Sequence, residues 1–412
     1  MCLGSPVYFD NPGGTQVPQQ VADAMVEYLL HSNANTHGAF PTSERTDEVI
    51  QAAHTAMADL LGASPREVAF GPNMTTLTFG LSRALGRELR EGDEIIVTRL
   101  DHDANVAPWL LLAEDKGLTI RWVDVNPDDC TLDIEGFEAA LSRRTKLAAF
   151  TYASNAVGTV NDVRRLTQLA HDVGALVFID AVQYAPHGPI DVREIGCDFL
   201  ACSPYKFFGP HAGALYIRLD HSECLRAYKV RPASDDSPYK WETGTQSHEA
   251  MAGTTAAIEY LATLAPEDGD ASRRQRLVAA MEAVREYERE LSRRLLDGLA
   301  RLPVQVYGIT DPDQLQWRVP TFAVTAEDAT PRQLAEEMGR WGFNLWDGNY
   351  YALALMERLG LEANGGALRV GMAHYNTPEE VDRFLSELGH ILSAGASSVP
   401  AVEERAEHTS QG

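Results

Sequence analysis

The sequence predicts an α/β protein: a large domain with a mainly parallel sheet covered on both faces, then a smaller C-terminal α+β domain. Three observations carry this. Between about residues 65 and 220, short apolar, β-branched runs alternate with helical patterns, the rhythm of βα units. A long helical stretch, roughly Ser272 to Leu302, then interrupts that rhythm. Beyond it, strand and helix patterns restart on a smaller scale.

Taken in order, "REVAFG" reads as a strand that leads into a helix ending at Leu85. "DEIIVTRL" precedes a helix over Trp109 to Lys116, and "LTIRWVDV" precedes one near Ile134 to Leu141. "TKLAAFTY" is followed by the helical "VRRLTQLAHDVG", then by the strands "ALVFID", "DFLACS" and "GALYIR". In the smaller domain "VQVYG" and "PTFAVT" read as strands, and "PRQLAEEMGRWG", "YALALMERLG" and "PEEVDRFLSELGHIL" as helices. The expected division is an N-terminal segment 1–40 packing with the small domain, a large domain 41–270, a connecting helix 271–302, a small domain 303–392 and a disordered tail 393–412.

Composition narrows the function. The 412 residues carry a formal net charge of -24, which repels nucleic-acid phosphates and anionic lipid, so neither is an expected partner. The five cysteines (Cys2, Cys130, Cys197, Cys202, Cys224) form no CxxC or Cys/His ligand spacing, so free thiols are expected rather than a disulfide framework or a metal site. The start "MCLGSPVYFDNPGG" has no basic or apolar signal region, and no apolar run approaches a membrane span. A cytoplasmic protein is expected.

The stretch "ACSPYKFFGPHAG" poses the chemical question, because it sets Lys206 directly after an apolar strand, where an idle ammonium is costly. Asp180 ends the strand "ALVFID", so both residues stand at carboxyl ends of strands, where α/β sheets bind ligands. A lysine that forms a Schiff base and a carboxylate on a protonated pyridine nitrogen suit pyridoxal 5'-phosphate. An ordinary Asp–Lys pair at a sheet edge would show the same two residues.

Further residues favour the cofactor. Thr75 and Thr76, in "GPNMTTLTFGLSRAL", open a helix after a strand, where free N–H groups and the helix dipole make an anion cradle; simple N-capping by threonine is the plainer alternative. Ser203 can donate to the same phosphate, and His102 in "LDHDANVAPW" stands at another strand end, where it can lie on a ring.

In the order "TT", "DHDAN", "SNAVGT", "DAVQ", "SPYK" and "ALRVGMAHYNTPEEVDRF", the chain resembles the class V aminotransferase group of fold type I pyridoxal-phosphate enzymes, in its cysteine desulfurase-like branch. The resemblance implies a seven-stranded large-domain sheet. It further implies that Lys206 binds the cofactor and serves as the mobile base, that Asp180 meets the pyridine nitrogen, and that Gln183 and Asn155 lie near the phenolic oxygen. His102 would stack on the ring, and Thr76 and Ser203 would hold the phosphate. Thr245, in "ETGT", would reach the phosphate of a partner subunit, which implies a homodimer. Arg369 would clamp the substrate α-carboxylate, with Asn155 and His37 as further substrate contacts.

Two departures shape the expected reaction. Tyr205 stands where desulfurases carry a histidine before the lysine. The loop that brings a nucleophilic cysteine in those enzymes reads "WDGNYYALAL" here, with Trp346 at its arginine position and about Tyr351 at its cysteine position, and no cysteine follows Cys224. A phenol cannot carry sulfur as a persulfide. The expected reaction is therefore β-elimination from cysteine or a cysteine S-conjugate, with Trp346, Tyr350 and Tyr351 lining a pocket for a bulky substituent and Tyr350 or Tyr351 protonating the departing sulfur. Equally, these aromatics could simply pack the loop. Decarboxylation-coupled deamination, epimerisation and transamination are alternatives on the same scaffold, and a degenerate cofactor-binding partner in sulfur trafficking is the non-enzymatic one. A nicotinamide oxidoreductase lacks its GxGxxG turn.

Overall fold

A computed structural model describes residues 6–265 and 269–394. The strands are β1 (Val7–Tyr8), β2 (Val68–Gly71), β3 (Glu94–Thr98), β4 (Thr119–Val123), β5 (Thr145–Thr151), β6 (Leu176–Asp180), β7 (Phe199–Cys202), β8 (Gly213–Ile217), β9 (Gln305–Tyr307), β10 (Thr321–Thr325), β11 (Phe343–Asn344), β12 (Trp346–Gly348) and β13 (Ala367–Gly371). The helices are α1 (Gln19–His31), α2 (Pro41–Leu61), α3 (Met74–Leu85), α4 (Ala107–Lys116), α5 (Ile134–Ala140), α6 (Val163–Asp172), α7 (Val192–Ile195), α8 (Leu219–Cys224), α9 (His248–Ala262), α10 (Arg273–Leu299), α11 (Pro331–Arg340), α12 (Leu353–Arg358) and α13 (Pro378–Ala394).

The large sheet has seven strands in the order β2-β8-β7-β6-β5-β3-β4. Only β8 runs antiparallel to its neighbours, β2 and β7. Its strands alternate between two cores, as a doubly covered sheet requires. Val177, Ile179, Leu200 and Cys202 join one, with residues of α2, α6 and α9. Phe178, Phe199, Ala201 and Leu215 join the other, with residues of α3 and α4. The expected α/β architecture is therefore present, with the anticipated strand count.

A second, antiparallel sheet, β12-β13-β10-β9, builds the smaller domain. The long helix α10 begins in a capping box, Ser272 with Gln275, which explains its sharp start. Its early residues Leu277, Met281 and Val284 join the large-sheet core, whereas Leu291, Leu295 and Leu299 join the small-domain core.

The N-terminal segment divides its contacts. β1 pairs with β11 beside the small sheet, and Asp10 bridges Gly371, but α1 packs against α9 of the large domain. Between them, Thr15 N donates to Tyr205 O at 3.1 Å and Phe208 N to Thr15 Oγ1 at 2.8 Å, tying the segment to the Lys206 turn. The final helix includes Ser393 and Ala394, two residues into the expected tail, and 395–412 lie outside the described residues. Among the described residues no helix is long and apolar enough to cross a membrane.

Candidate active site

The carboxyl ends of β5, β6 and β7 and the first turn of α3 border a cleft of about 70 Å³. Lys206 ends a short turn, Pro204–Lys206, just past β7, and its Nζ donates to the carbonyl of Pro12. Burial lowers the amine pKa to about 7; Arg369 adds to the effect, and Asp10 and Asp180 oppose it. Asp180 closes β6 and is buried, with Oδ1 accepting from Val182 N at 2.9 Å. Its pKa rises to about 6 through burial, against the Val182 N–H and the charge of Lys206.

His102 caps the turn that follows β3. Its Nδ1 accepts from Ala104 N at 3.0 Å, which leaves Nε2 to carry the proton of the neutral ring. Burial, then Lys206 and Arg369, bring its pKa down to about 4, so the imidazole is neutral near pH 7. Its neighbour Asp101 is buried, accepts from Asn105 Nδ2 at 2.7 Å and from Thr98 Oγ1, and has its carboxyl pushed up to about 8 by burial.

At the opposite end, Asn73 rather than a threonine caps α3, its Oδ1 accepting from Thr76 N at 2.8 Å. Thr75 lines the cleft; Thr76 is exposed and outside the lining. Met74 N donates to Ser203 Oγ at 3.3 Å, joining the helix start to the β7 turn. A Cβ on Gly213 would come within 2.3 Å of the Asn73 carbonyl carbon, so glycine permits this close approach.

Arg369 lies in the middle of β13 and is buried, but it is not free. Its Nη2 meets Asp10 Oδ1 at 2.9 Å, Nη1 donates to Asn155 O at 3.1 Å, and the guanidinium lies 4.5 Å from the Tyr350 ring centroid. Its Nε is buried without a partner. Asn155 donates from Nδ2 to Tyr350 O at 2.8 Å, while its Oδ1 is buried and unpartnered beside the cleft. Gln183 also lines the cleft, with Nε2 3.1 Å from Thr321 Oγ1.

The aromatic loop splits. Tyr350 is buried among Ala156, Ala352 and Leu355, and its hydroxyl donates to Ala367 O, which commits its proton within the loop; with Trp346 and Tyr351 it borders an open hollow on the loop, outside the Lys206 cleft. Tyr351, 73% exposed, instead stacks on His102 with ring centroids 5.5 Å apart. Trp346 sits directly across from Arg369 in the β12–β13 register, hence on the same sheet face, and is 56% exposed. Tyr350 and Tyr351 both adopt left-handed backbone, φ 56° and 58°, an uncommon pairing for two tyrosines.

Two expected residues stand elsewhere. His37 is exposed in the chain before α2, with Nδ1 3.3 Å from Asp47, and is absent from the cleft. An exposed loop position has little to do with substrate within one chain. Thr245 is likewise exposed, on the loop before α9, outside its own chain's cleft. Sequence reasoning missed Asp10, the partner of Arg369, and left Tyr205 without a role although it lines the cleft. The signal for Asp10 was its place in "YFDNPGG", but only the fold shows that strand β1 lies against β11 and Gly371.

The donor set fits pyridoxal phosphate. A lysine of lowered pKa meets an aldehyde, a buried carboxylate with a further oxygen meets a pyridine nitrogen, a neutral imidazole meets a ring face, and the α3 start with Ser203 meets a phosphate. Asn155 Oδ1, buried and unpartnered, belongs to a residue of the same lining and fits a polar group there.

Comparisons with known proteins agree. The aminotransferase class-V family matches residues 7–384. An aminotransferase-like protein, FGM3, of Gibberella zeae is 32% identical over 403 residues, 94% of each chain. A probable cysteine desulfurase of Synechocystis is 31% identical over 398 residues, 93% of this chain and 90% of the relative. The apo cysteine desulfurase of Thermococcus onnurineus NA1 superposes with a TM-score of 0.84 at 27% identity, over 94% of this chain and 95% of the other. Pyridoxal phosphate is the cofactor this fold and site serve. The chain belongs to the class-V aminotransferase family.

Proposed function

We propose that the protein is a pyridoxal-phosphate-dependent C–S β-lyase acting on cysteine or, preferably, a cysteine S-conjugate. The observation that carries this is Tyr351, seated on His102 at the cleft in a loop without cysteine. Among the described residues the remaining thiols offer no substitute. Burial pushes Cys130 up to about 11 and Cys202 up to about 12, and it raises Cys197 as well, while exposed Cys224 is not among the cleft residues. A persulfide-forming desulfurase needs a mobile thiolate, and none of these qualifies.

When bound, the coenzyme supplies the electron sink that makes the substrate α-proton acidic. The chain does the rest. Lys206 would hold the coenzyme covalently in the resting enzyme, and its Nζ, released when the substrate amino group takes its place and partly uncharged near pH 7, would accept the α-proton. Asp180 holds the ring nitrogen, Gln183 and Asn155 face the ring oxygen, His102 covers one ring face, and Thr75 and Ser203 hold the phosphate. Arg369 takes the α-carboxylate by exchanging part of its pairing with Asp10. Tyr351 protonates the departing sulfur, and Trp346 flanks its substituent. The Cα–H and C–S bonds break; with water, the products are a thiol, pyruvate and ammonium. Thr245, exposed and away from its own cleft, suits a role across a homodimer interface.

The test is incubation of the pyridoxal-phosphate-loaded protein with cysteine, cystathionine and aryl cysteine S-conjugates, with product and intact-protein mass spectrometry. Thiol and pyruvate in equal amounts are expected. Alanine as coproduct, with a sulfur adduct on the protein, would overturn the proposal.

A further inference from the structure

A buried hydrogen-bonded chain leads from α10 to the cleft. Glu288 Oε2 lies 2.8 Å from His187 Nδ1, and His187 Nε2 lies 3.4 Å from the Gln183 amide. Glu288 and His187 are each about 2% exposed at the side chain. Neither touches the cleft, and the chemistry set out above uses neither. We propose that Glu288 and His187 form a positioning pair that decides which end of the Gln183 side-chain amide faces the cleft, resting on the reading that Gln183 meets the ring oxygen of the bound coenzyme.

The reasoning is one of proton count. With two protons the pair is electrically neutral, either as carboxylate with imidazolium or as carboxylic acid with neutral imidazole. In both forms His187 Nε2 carries a hydrogen, which must be accepted by the amide oxygen of Gln183. The amide N–H groups then turn into the cleft, where they can donate to an anionic oxygen. With one proton the pair holds a net negative charge, bare Nε2 accepts from the amide nitrogen, and the amide oxygen faces the cleft instead. The two ends of the amide have the same shape, so hydrogen bonding alone selects between them. Thr321 Oγ1, the other neighbour of the amide, can donate or accept and so permits both.

Burial favours the neutral pair, because an isolated charge there is poorly solvated. Burial raises the Glu288 pKa, against His187 and the His374 backbone. Three arginines border the small hollow that His187 and Glu288 also line, and their charge opposes this preference; Arg318 gives its hydrogen bonds to the carbonyls of Ile309, Val157 and Thr321, Arg289 pairs with Glu286, and Arg285 completes the set. On the far side, burial lowers the pKa of His374 to about 4, and its ring bonds the Tyr260 hydroxyl at 2.7 Å.

The experiment follows the pH midpoint of the bound coenzyme's visible absorbance in E288L, E288Q, Q183A and the E288L/Q183A double variant. An amide donor stabilises the anionic ring oxygen, so losing it should raise the midpoint by roughly half to one pH unit. E288L and Q183A should each raise it, the double variant should shift it no further than Q183A alone, and E288Q, which can still donate to Nδ1, should keep the wild-type midpoint. A shift in Q183A with none in E288L would overturn the proposal while leaving the role of Gln183 intact. No shift in Q183A would instead remove the reading on which it rests, and the proposal with it. If E288L does not fold, H187N interrupts the same chain and is judged by the same criterion.

Discussion

The rings of His102 and Tyr351 lie nearly parallel, 22° between planes, and the Tyr351 carbonyl accepts from Asp103 N at 2.7 Å. Side chain and backbone thus fasten one loop of the small domain to the turn that carries the cleft-lining imidazole of His102. Tyr351 is therefore held by contacts, although most of its surface is open.

Separating the ring from the phenol tests its two roles. Y351F keeps the stack and removes the proton, so kcat for S-conjugates should fall about tenfold or more with little change in KM. Y351A also frees the loop, and KM for aryl conjugates should rise by roughly 2–10-fold. Steady-state kinetics on both variants checks this; equal loss in the two would assign the whole effect to the hydroxyl, and loss in Y351A alone would assign it to the stack.

Lys206 makes a prediction for the apoprotein as well. Its folded pKa of about 7 lies below the ordinary 10.5, so between these values the unfolded chain binds the extra proton. Stability should therefore rise with pH across that window. K206M should flatten the slope and melt roughly 2–4 °C above wild type at pH 7, the gap closing toward pH 10. The same variant should lose covalent coenzyme attachment and at least about 10³-fold in turnover, as borohydride trapping and pyruvate release would show.

Arg369 is expected to act on binding. R369K keeps charge but loses the planar fork that reaches Asp10 and that the proposed mechanism assigns to the substrate carboxylate. KM for the amino acid should rise about 10–100-fold, more than kcat falls. An unchanged KM would detach Arg369 from the α-carboxylate.

A structural prediction concerns Asp198, buried immediately before β7, with His171 Nε2 and His221 Nε2 each at 2.9 Å and Arg218 at 2.7 Å. Burial would raise its pKa, but the two histidines, the Val177 N–H and Arg218 outweigh that and hold it below the usual carboxylate value. Its contribution is present above the ordinary carboxylate range and is lost as pH falls through the lowered value. D198N should cost about 3–5 kcal/mol in urea unfolding at pH 7, with the difference narrowing in acid.

Much of this was legible in the amino-acid sequence because period and position coincide there. Apolar runs such as "ALVFID" declare buried parallel strands, and Asp180 and Lys206 then fall at carboxyl strand ends without further information. What the sequence concealed depends on contacts between distant segments. The Asp10–Arg369 pair joins residues 359 positions apart, and nothing local marks it. Tyr350 and Tyr351 are adjacent and chemically identical, yet two left-handed backbone positions send one inward and one outward. His37 lies outside its own chain's cleft, and a histidine in a loop carries no periodicity to locate it.

The helix α10 belongs to both hydrophobic cores, one through Met281 and the other through Leu295. A rod anchored at both ends transmits displacement instead of absorbing it, so the two lobes have no slack hinge along this connection. Admission of an amino acid must then depend on shorter pieces, the Trp346–Tyr351 loop above all. Rates of substrate entry should track the stiffness of that loop while amide exchange along α10 stays slow throughout.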